Sequence, residues 1–349
     1  MTARENYIRT ATFNDPEWIP IHFVINKSCY FTYDQNFLFD EMEKHKLLFP
    51  NFQRPQGKFV PELSGVCKTG ARYYDGFGCG WETTMEGITG TVVENPLKDI
   101  SKANVFPFPN PGKHNGLSTI DWEKETARIK RNKENGHLTI GSLRHGHTFL
   151  QMCDIRGYEN FLFDMMDEEE YLKPFLEKLT DFNCEIIKRY VDMGVDVFQI
   201  PEDLGMQNGP MLSVDNFNEY ILPCYRRLIN EANKKGAIVH MHSDGDIRLL
   251  VDGLITDGVK IINLQDLVNG IDWIEKNLKG KVCIDLDVDR QKIVQFGTPS
   301  QIDELIKTEI KTLDSKNGGL MMTFGLYPDI PNENVTAIMD AFEKYMIRK

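Results

Sequence analysis

Two histidines one residue apart, in the run His240-Met241-His242-Ser243-Asp244-Gly245-Asp246, stand at the end of a short apolar stretch. In an extended strand, side chains two positions apart point the same way, so both imidazoles can face one site. Other apolar stretches end in comparable groups: Pro201-Glu202-Asp203 after Ile200, Gln265-Asp266, Asp285-Leu286-Asp287-Val288-Asp289, Thr323-Phe324-Gly325, and Arg144-His145-Gly146-His147. Neutral imidazoles joined by a carboxylate from a neighbouring strand form a suitable Zn2+ set. On this reading His240 is a ligand, Glu202 is the natural carboxylate, and Glu219, near the start of the following helix, is a second one. Alternatively, Asp203 or His242 does general acid–base work without a metal. Gln207, Asp244, His147 and Met322 are candidates for substrate contact, although loop structure also accounts for His145 and His147, and barrel core for Met321 and Met322. Cys79 and Cys283 have no spaced partner that would make them a thiolate pair.

The elements that position these groups follow from hydrophobic patterning. Runs at 138–143, 195–200, 237–241, 259–264, 281–286 and 319–323 are short and rich in bulky apolar residues, as strands buried on both faces are. Between them lie helical periodicities. One opens at Asp167 with Glu170 in capping-box spacing, repeats through Leu172, Phe175, Leu176, Leu179, Phe182 and Ile186, and closes at Gly194. A second spans about 215–235 with a kink or break expected at Pro223, and others fit 246–256, 270–278, 300–314 and 333–347. Six strand–helix alternations imply a parallel sheet. No GxGxxG or GxxxxGK[ST] follows a strand, which disfavours the nucleotide-binding open sheets. The fold expected is a (β/α)8 TIM barrel, a single domain over 1–349 with 19–25 as its first strand. The Gly-, Pro- and aromatic-rich stretch 50–115 is expected to be an N-terminal insertion covering the barrel mouth, and Asp75 before Gly-Phe-Gly-Cys-Gly-Trp81 a tight turn within it. Catalytic groups of such a barrel gather past the C-terminal ends of its strands.

Composition narrows the partners. The net charge of -12 argues against a phosphate-binding, nucleic-acid surface. No apolar run reaches membrane-spanning length, and the polar start MTARENYIRT does not resemble a signal peptide. Seven cysteines, an odd number without a CxxC, fit reduced thiols and a cytoplasmic setting. A homodimer is compatible with the sequence.

The segment from Asp196 to Asn269 resembles the uroporphyrinogen decarboxylase superfamily, and more closely its corrinoid-dependent methyltransferase branch. The likeness is carried by Glu202-Asp203-Leu-Gly-Met-Gln-Asn-Gly, Phe217-Asn-Glu-Tyr-Ile-Leu-Pro, His240-Met-His-Ser-Asp-Gly, Asp289-Arg-Gln, Gly297-Thr-Pro, and Gly318-Gly-Leu with Pro331-Asn-Glu-Asn-Val. It covers about residues 140–349 well and the earlier part more loosely, through Asp75-Gly-Phe-Gly and Asn95-Pro-Leu. The resemblance implies a TIM barrel and either porphyrinogen decarboxylation or methyl transfer to or from a separate cobalamin protein. Departures from the pattern bear on the choice. The decarboxylase's Arg-rich N-terminal segment is absent, and where thiol-methylating members carry His-x-Cys and a later Cys, this chain has His240-x-His242 and, near the later position, Phe324. The O-demethylase members use two glutamates and a histidine for zinc, a pattern that Glu219 and His240 match in spacing and Glu202 more loosely. The resemblance therefore implies zinc-assisted methyl transfer from a methoxylated, aromatic-type substrate to the cob(I)alamin of a partner, since this chain has no Asp-x-His-x-x-Gly corrinoid motif. The alternatives it leaves are methyl transfer from a corrinoid to tetrahydrofolate or a thiol, metal-free decarboxylation of a tetrapyrrole, and a non-catalytic tetrapyrrole-binding or corrinoid-carrier role.

Overall fold

The computed structural model describes residues 1–348. Seven parallel strands curl into the wall of a barrel: β1 (Ile21–Ile25), β2 (Ile140–Ser142), β3 (Val197–Asp203), β4 (Ile238–Asp244), β5 (Ile261–Gln265), β6 (Cys283–Asp287) and β7 (Leu320–Leu326). Their order across the sheet is β1-β7-β6-β5-β4-β3-β2. Each neighbouring pair is parallel, because a helix-containing crossover returns the chain to the same end every time. The TIM-barrel class expected from the sequence holds. Among the described residues no eighth strand pairs between β1 and β2. Instead, the chain between them builds a three-stranded antiparallel sheet from Tyr73–Tyr74, Gly80–Glu82 and Thr91–Glu94.

Alternation along the strands sorts side chains into two environments. Facing the helices are Phe198 and Ile200, Val239 and Met241, Ile262 and Leu264, Ile284 and Leu286, and Met322 and Phe324, all fully buried in one apolar core. Facing the barrel axis, a small separate cluster of Ala11, Ile261, Cys283 and Met321, with Tyr7 and Ile238 against it, closes the N-terminal end. Two of these residues come from the helix Ala3–Ala11, an element with no clear signal in the patterning. Thr2 caps it by accepting from the Glu5 amide. Asn6 ties it to the first strand's approach, accepting from the Glu17 amide at 2.8 Å and donating to the Trp18 carbonyl at 2.9 Å.

Element limits differ from expectation in instructive places. β3 runs on through Asp203 and β4 through Asp244, so the polar triplets at their ends belong to the strands themselves. The long helix is Leu172–Asp192, without the expected capping box: Asp167 is instead the C-cap of the helix Tyr158–Met166. At Pro223 the helix does not simply kink. The segment Phe217–Ile221 forms a π-turn and a new α-helix, Leu222–Asn233, starts with the proline in its first turn, where its missing N–H costs nothing. The capping box in the C-terminal half is found at Thr298 and Gln301.

Replacing Asn6 by Ala leaves two amides and a carbonyl without partners, and is expected to cost about 2 kcal/mol. Urea unfolding should show a lower midpoint with an unchanged slope.

Candidate active site at the strand C-termini

Parity along β3 and β4 decides which polar residues meet. Gln199 pairs with His240, Pro201 with His242 and Asp203 with Asp244, and these positions face the barrel axis. At the mouth, His145, Asp203 and His242 each offer a ligand atom within 4.8 Å of the others. Asp203 Oδ1 lies 3.3 Å from His145 Nε2 and 3.5 Å from His242 Nε2, and accepts from the Asp244 amide at 3.1 Å. His242 Nδ1 is held by Asn263 Oδ1, and Asn263 donates to the Asp285 carbonyl at 2.7 Å. That chain orients the amide oxygen toward Nδ1, so Nδ1 is a donor and Nε2 turns to the cavity.

The cavity, of about 760 Å3, is walled by Asp203, His242, Asp244, Asp287, Arg290 and Tyr327 from the barrel, by Arg144, His145 and Asp154 from the region after β2, and by Trp81, Thr91 and Val92 from the antiparallel sheet. The insertion thus supplies one wall of the site. Asp75 organises it: Oδ1 accepts from the amides of Phe77 and Cys79, each at 2.9 Å, and Oδ2 accepts from the Trp81 indole at 3.0 Å. On the barrel side, Gly245 lies so close to Gly205 that a Cβ on it would sit 2.1 Å from the Gly205 carbonyl carbon. Its φ of +81° is in the left-handed region as well, so the glycine of the His-x-His-Ser-Asp-Gly run is required twice over.

Electrostatics follow from the placement. Burial disfavours the His242 cation, but the bond to Asp203, the charge of Asp244 and the Asn263 contact outweigh it and push its pKa up to about 9. Burial likewise opposes the Asp203 carboxylate, yet the two imidazoles hold it well below the usual carboxylate range. Asp287 is pushed up to about 6 by burial and by Asp244, against the pull of Arg290. Asp154 is pushed up to about 6 by burial, against the pull of Arg144. Both guanidinium groups are already committed. Arg290 Nη1 donates to Asp287 at 2.7 Å and its Nη2 to Asp244 at 3.2 Å, while Arg144 Nη2 donates to Asp154 at 2.9 Å.

The expected metal set is not brought together. Glu202 is adjacent to Asp203, and for that reason faces the opposite way, out toward the helices. It accepts from the amides of Thr148 at 2.9 Å, Phe149 at 3.0 Å and Leu150 at 3.2 Å, and from the Tyr225 hydroxyl at 2.9 Å. It is an anchor for the start of the helix Phe149–Arg156. Glu219 lies on the π-turn at the outer surface, paired with Lys173 at 2.8 Å, because the helix after β3 packs outside the barrel. His240 does face the axis, one layer below His242, with Nε2 3.2 Å from Asp285 Oδ2 and no aligned hydrogen bond. Asp285 also accepts from Thr323 Oγ1 at 2.9 Å.

The other expected residues divide similarly. Asp203, His242 and Asp244 line the cavity. His147 does not: it is buried behind the wall, 2.7 Å from Thr148 Oγ1, with its pKa driven down to about 3 by burial. Met322 is on the helix-facing side, and Gln207 sits exposed on a hairpin at the rim, donating to Gln291 at 3.3 Å. Phe324 also faces the helices, so Thr323 and Gly325 are the β7 residues that reach the cavity. Sequence reading placed His145 and Asp287 among the strand-end groups without giving them a role, and did not single out Arg290 or Asn263. Alternation along the strands finds Asp287 and Asn263; His145 and Arg290 sit in turns that no periodicity orients.

Residues 75–345 match the sequence model of the family described as uroporphyrinogen decarboxylase. The uroporphyrinogen decarboxylase of Geobacter sulfurreducens is 20% identical over 272 residues, covering 74% of this chain and 74% of the relative. That of Christiangramia forsetii is 22% identical over 276 residues, covering 76% and 75%. Among solved structures, a methyltransferase from Methanosarcina mazei superposes over 99% of both chains with a TM-score of 0.66 at 13% identity, a likeness of fold.

Two substitutions separate anchor from ligand. Glu202→Ala orphans buried donors and is expected to cost on the order of 3 kcal/mol in urea unfolding. Glu219→Gln should change neither unfolding nor metal content measurably, the latter read by elemental analysis of the purified protein.

Proposed function

The chain belongs to the uroporphyrinogen decarboxylase family, and we propose that it is a zinc-dependent methyltransferase within it. On this reading it moves a methyl group from a methoxylated, aromatic-type substrate to the cob(I)alamin of a separate corrinoid protein. The observation that carries the reading is the convergence of His145, Asp203 and His242 at an open cavity on the catalytic end of the barrel. Two imidazoles and a carboxylate, with one imidazole's far nitrogen held by an amide oxygen, are a donor set that fits zinc with a position left open. This replaces Glu202, Glu219 and His240 as the proposed ligands. When bound, the metal supplies Lewis acidity at the ether oxygen of the substrate.

The chain's own residues then have defined tasks. Asn263 fixes the orientation of His242 through Nδ1, and Asp244, with the Arg290 guanidinium against it, sets the far wall. Trp81, Thr91 and Val92 form the wall of the cavity contributed by the antiparallel sheet. Tyr327 adds an aromatic surface beside Arg290, whose guanidinium lies 5.6 Å from its ring centre.

The same features speak against two of the alternatives, porphyrinogen decarboxylation and thiol methylation. A porphyrinogen carries several carboxylates, and this wall presents Asp154, Asp203, Asp244 and Asp287, while the charges of Arg144 and Arg290 are already paired with Asp154 and Asp287. No cysteine lines the cavity, so no thiolate is available to build the sulfur-rich site that suits thiol activation.

Elemental analysis should find one zinc per chain, lost in His242→Ala and in Asp203→Asn. An aryl methyl ether with a cognate corrinoid carrier should yield methylcobalamin, seen by its visible spectrum, at a rate reduced at least about 100-fold in His242→Ala. Stoichiometric zinc without methyl transfer to any carrier would keep the metal site and sink the demethylation. A metal-free, fully active protein would sink the zinc proposal.

A further inference from the structure

Behind the cavity, three carboxyl groups meet away from solvent: Asp266 at the end of β5, Asp289 just after β6, and Glu309 from the helix Pro299–Leu313. Their residues are 1%, 8% and 1% exposed. The charged groups that bear on Glu309 are Asp266 and Asp289, both acidic, and those that weigh most on Asp266 are Glu309 and Asp289, acidic as well. Neither Glu309 oxygen receives a hydrogen bond from an N–H or hydroxyl donor. Asp266, in contrast, already accepts from the amides of Leu267 and of Asp289, the latter at 2.8 Å. Two carboxylates in contact in an apolar interior, without a cation, cannot both remain ionised. Burial and the neighbouring acids accordingly raise Glu309 well above the usual carboxylate range.

What this cluster touches gives it a role. Asp289 takes the Gln291 and Lys292 amides at 3.2 and 3.1 Å, and also those of Ile293 and Val294, so its side chain shapes the turn into the helix Ile293–Phe296. Arg290 lies in that turn and bridges Asp287 and Asp244 on the cavity wall.

We infer that Glu309 donates a shared proton to Asp266, and that this carboxyl pair fixes the Asp289–Val294 turn and through it the position of Arg290. Glu309 is thus a positioning residue, placed on the outer helix layer, and this role does not depend on which reaction the cavity performs. The sign follows from the raised pKa of Glu309. The bond persists while Glu309 holds that proton, and is lost as pH rises through the raised value, because the folded state then gives up a proton it had held more tightly than the unfolded chain. With the proton gone, a second charge is stranded beside Asp266, and the turn loosens.

Hydrogen exchange of peptides covering 288–296, corrected for intrinsic exchange, tests this between about pH 6 and pH 9. Wild-type protection should fall with pH, by up to about tenfold per unit. Glu309→Gln keeps a donor that does not titrate and should hold protection constant, whereas Glu309→Ala should already be poorly protected at the acid end. Equal pH dependence in wild type and Glu309→Gln, or full protection in Glu309→Ala, would overturn the proposal. A measurement on the wild type alone covers the case in which a variant does not fold. Infrared spectroscopy should show a buried carboxylic-acid carbonyl band that persists above neutral pH, where Asp154 and Asp287 are ionised; its absence would equally overturn the shared proton.

Discussion

Each strand of the barrel presents successive side chains to opposite faces, and a polar residue one position out of step joins a different part of the molecule. At the end of β3 this separates two neighbouring carboxylates completely. Asp203 faces the axis and meets His145 and His242, while Glu202 faces the helices and receives three backbone amides and a tyrosine hydroxyl. Both are charged or polar groups taken out of water, and each is tolerated because its own face supplies partners. The site exists because the anchor beneath it is satisfied: the same carboxylate that cannot reach a metal holds the start of the helix following His145 and His147.

The mouth of this barrel is organised by paired charges more than by apolar shape. Asp203 lies between two imidazoles, Arg290 between Asp244 and Asp287, and Arg144 between Asp154 and, at 3.9 Å, Asp75. In a partly buried wall such pairs cost desolvation and return it only when geometry is good, so they fix positions as much as they add stability. The arrangement leaves the His145–Asp203–His242 trio facing the cavity, with Thr323 and Gly325 of β7 rather than a thiolate nearby. One layer lower, His240, Gln199, Asn263 and Asp285 continue the polar interior, and only at the N-terminal end does apolar packing close the barrel.

The missing pairing between β1 and β2 fits the same picture. Instead of an eighth strand hydrogen-bonded into the wall, the intervening chain forms a separate antiparallel sheet that lines the cavity with Trp81, Thr91 and Val92. Asp75 supports this sheet by collecting the Phe77 and Cys79 amides and the Trp81 indole N–H of its own turn.

Much of this is legible in the amino-acid sequence. The apolar runs, their spacing and the polar triplets at their ends were enough to place a parallel barrel and to gather its chemistry at the strand C-termini, because burial on both faces leaves a composition that loops and surface helices do not share. The His240-x-His242 spacing correctly put both rings on one face, and strict alternation could have excluded Glu202 and Met322 by parity. Three things belonged to tertiary structure alone. Whether a helix turn near a strand end faces the mouth or the outside depends on packing angle, and this removed Glu219. Which of His145 and His147 reaches the cavity depends on a turn with Gly146 at φ +70°, which has no periodicity to read. The pairing of Asp266 with Glu309, 43 positions apart in the numbering, arises only where the outer helix is laid against the strand ends. Local patterning specifies which face a residue takes; contacts between distant elements decide what it meets there.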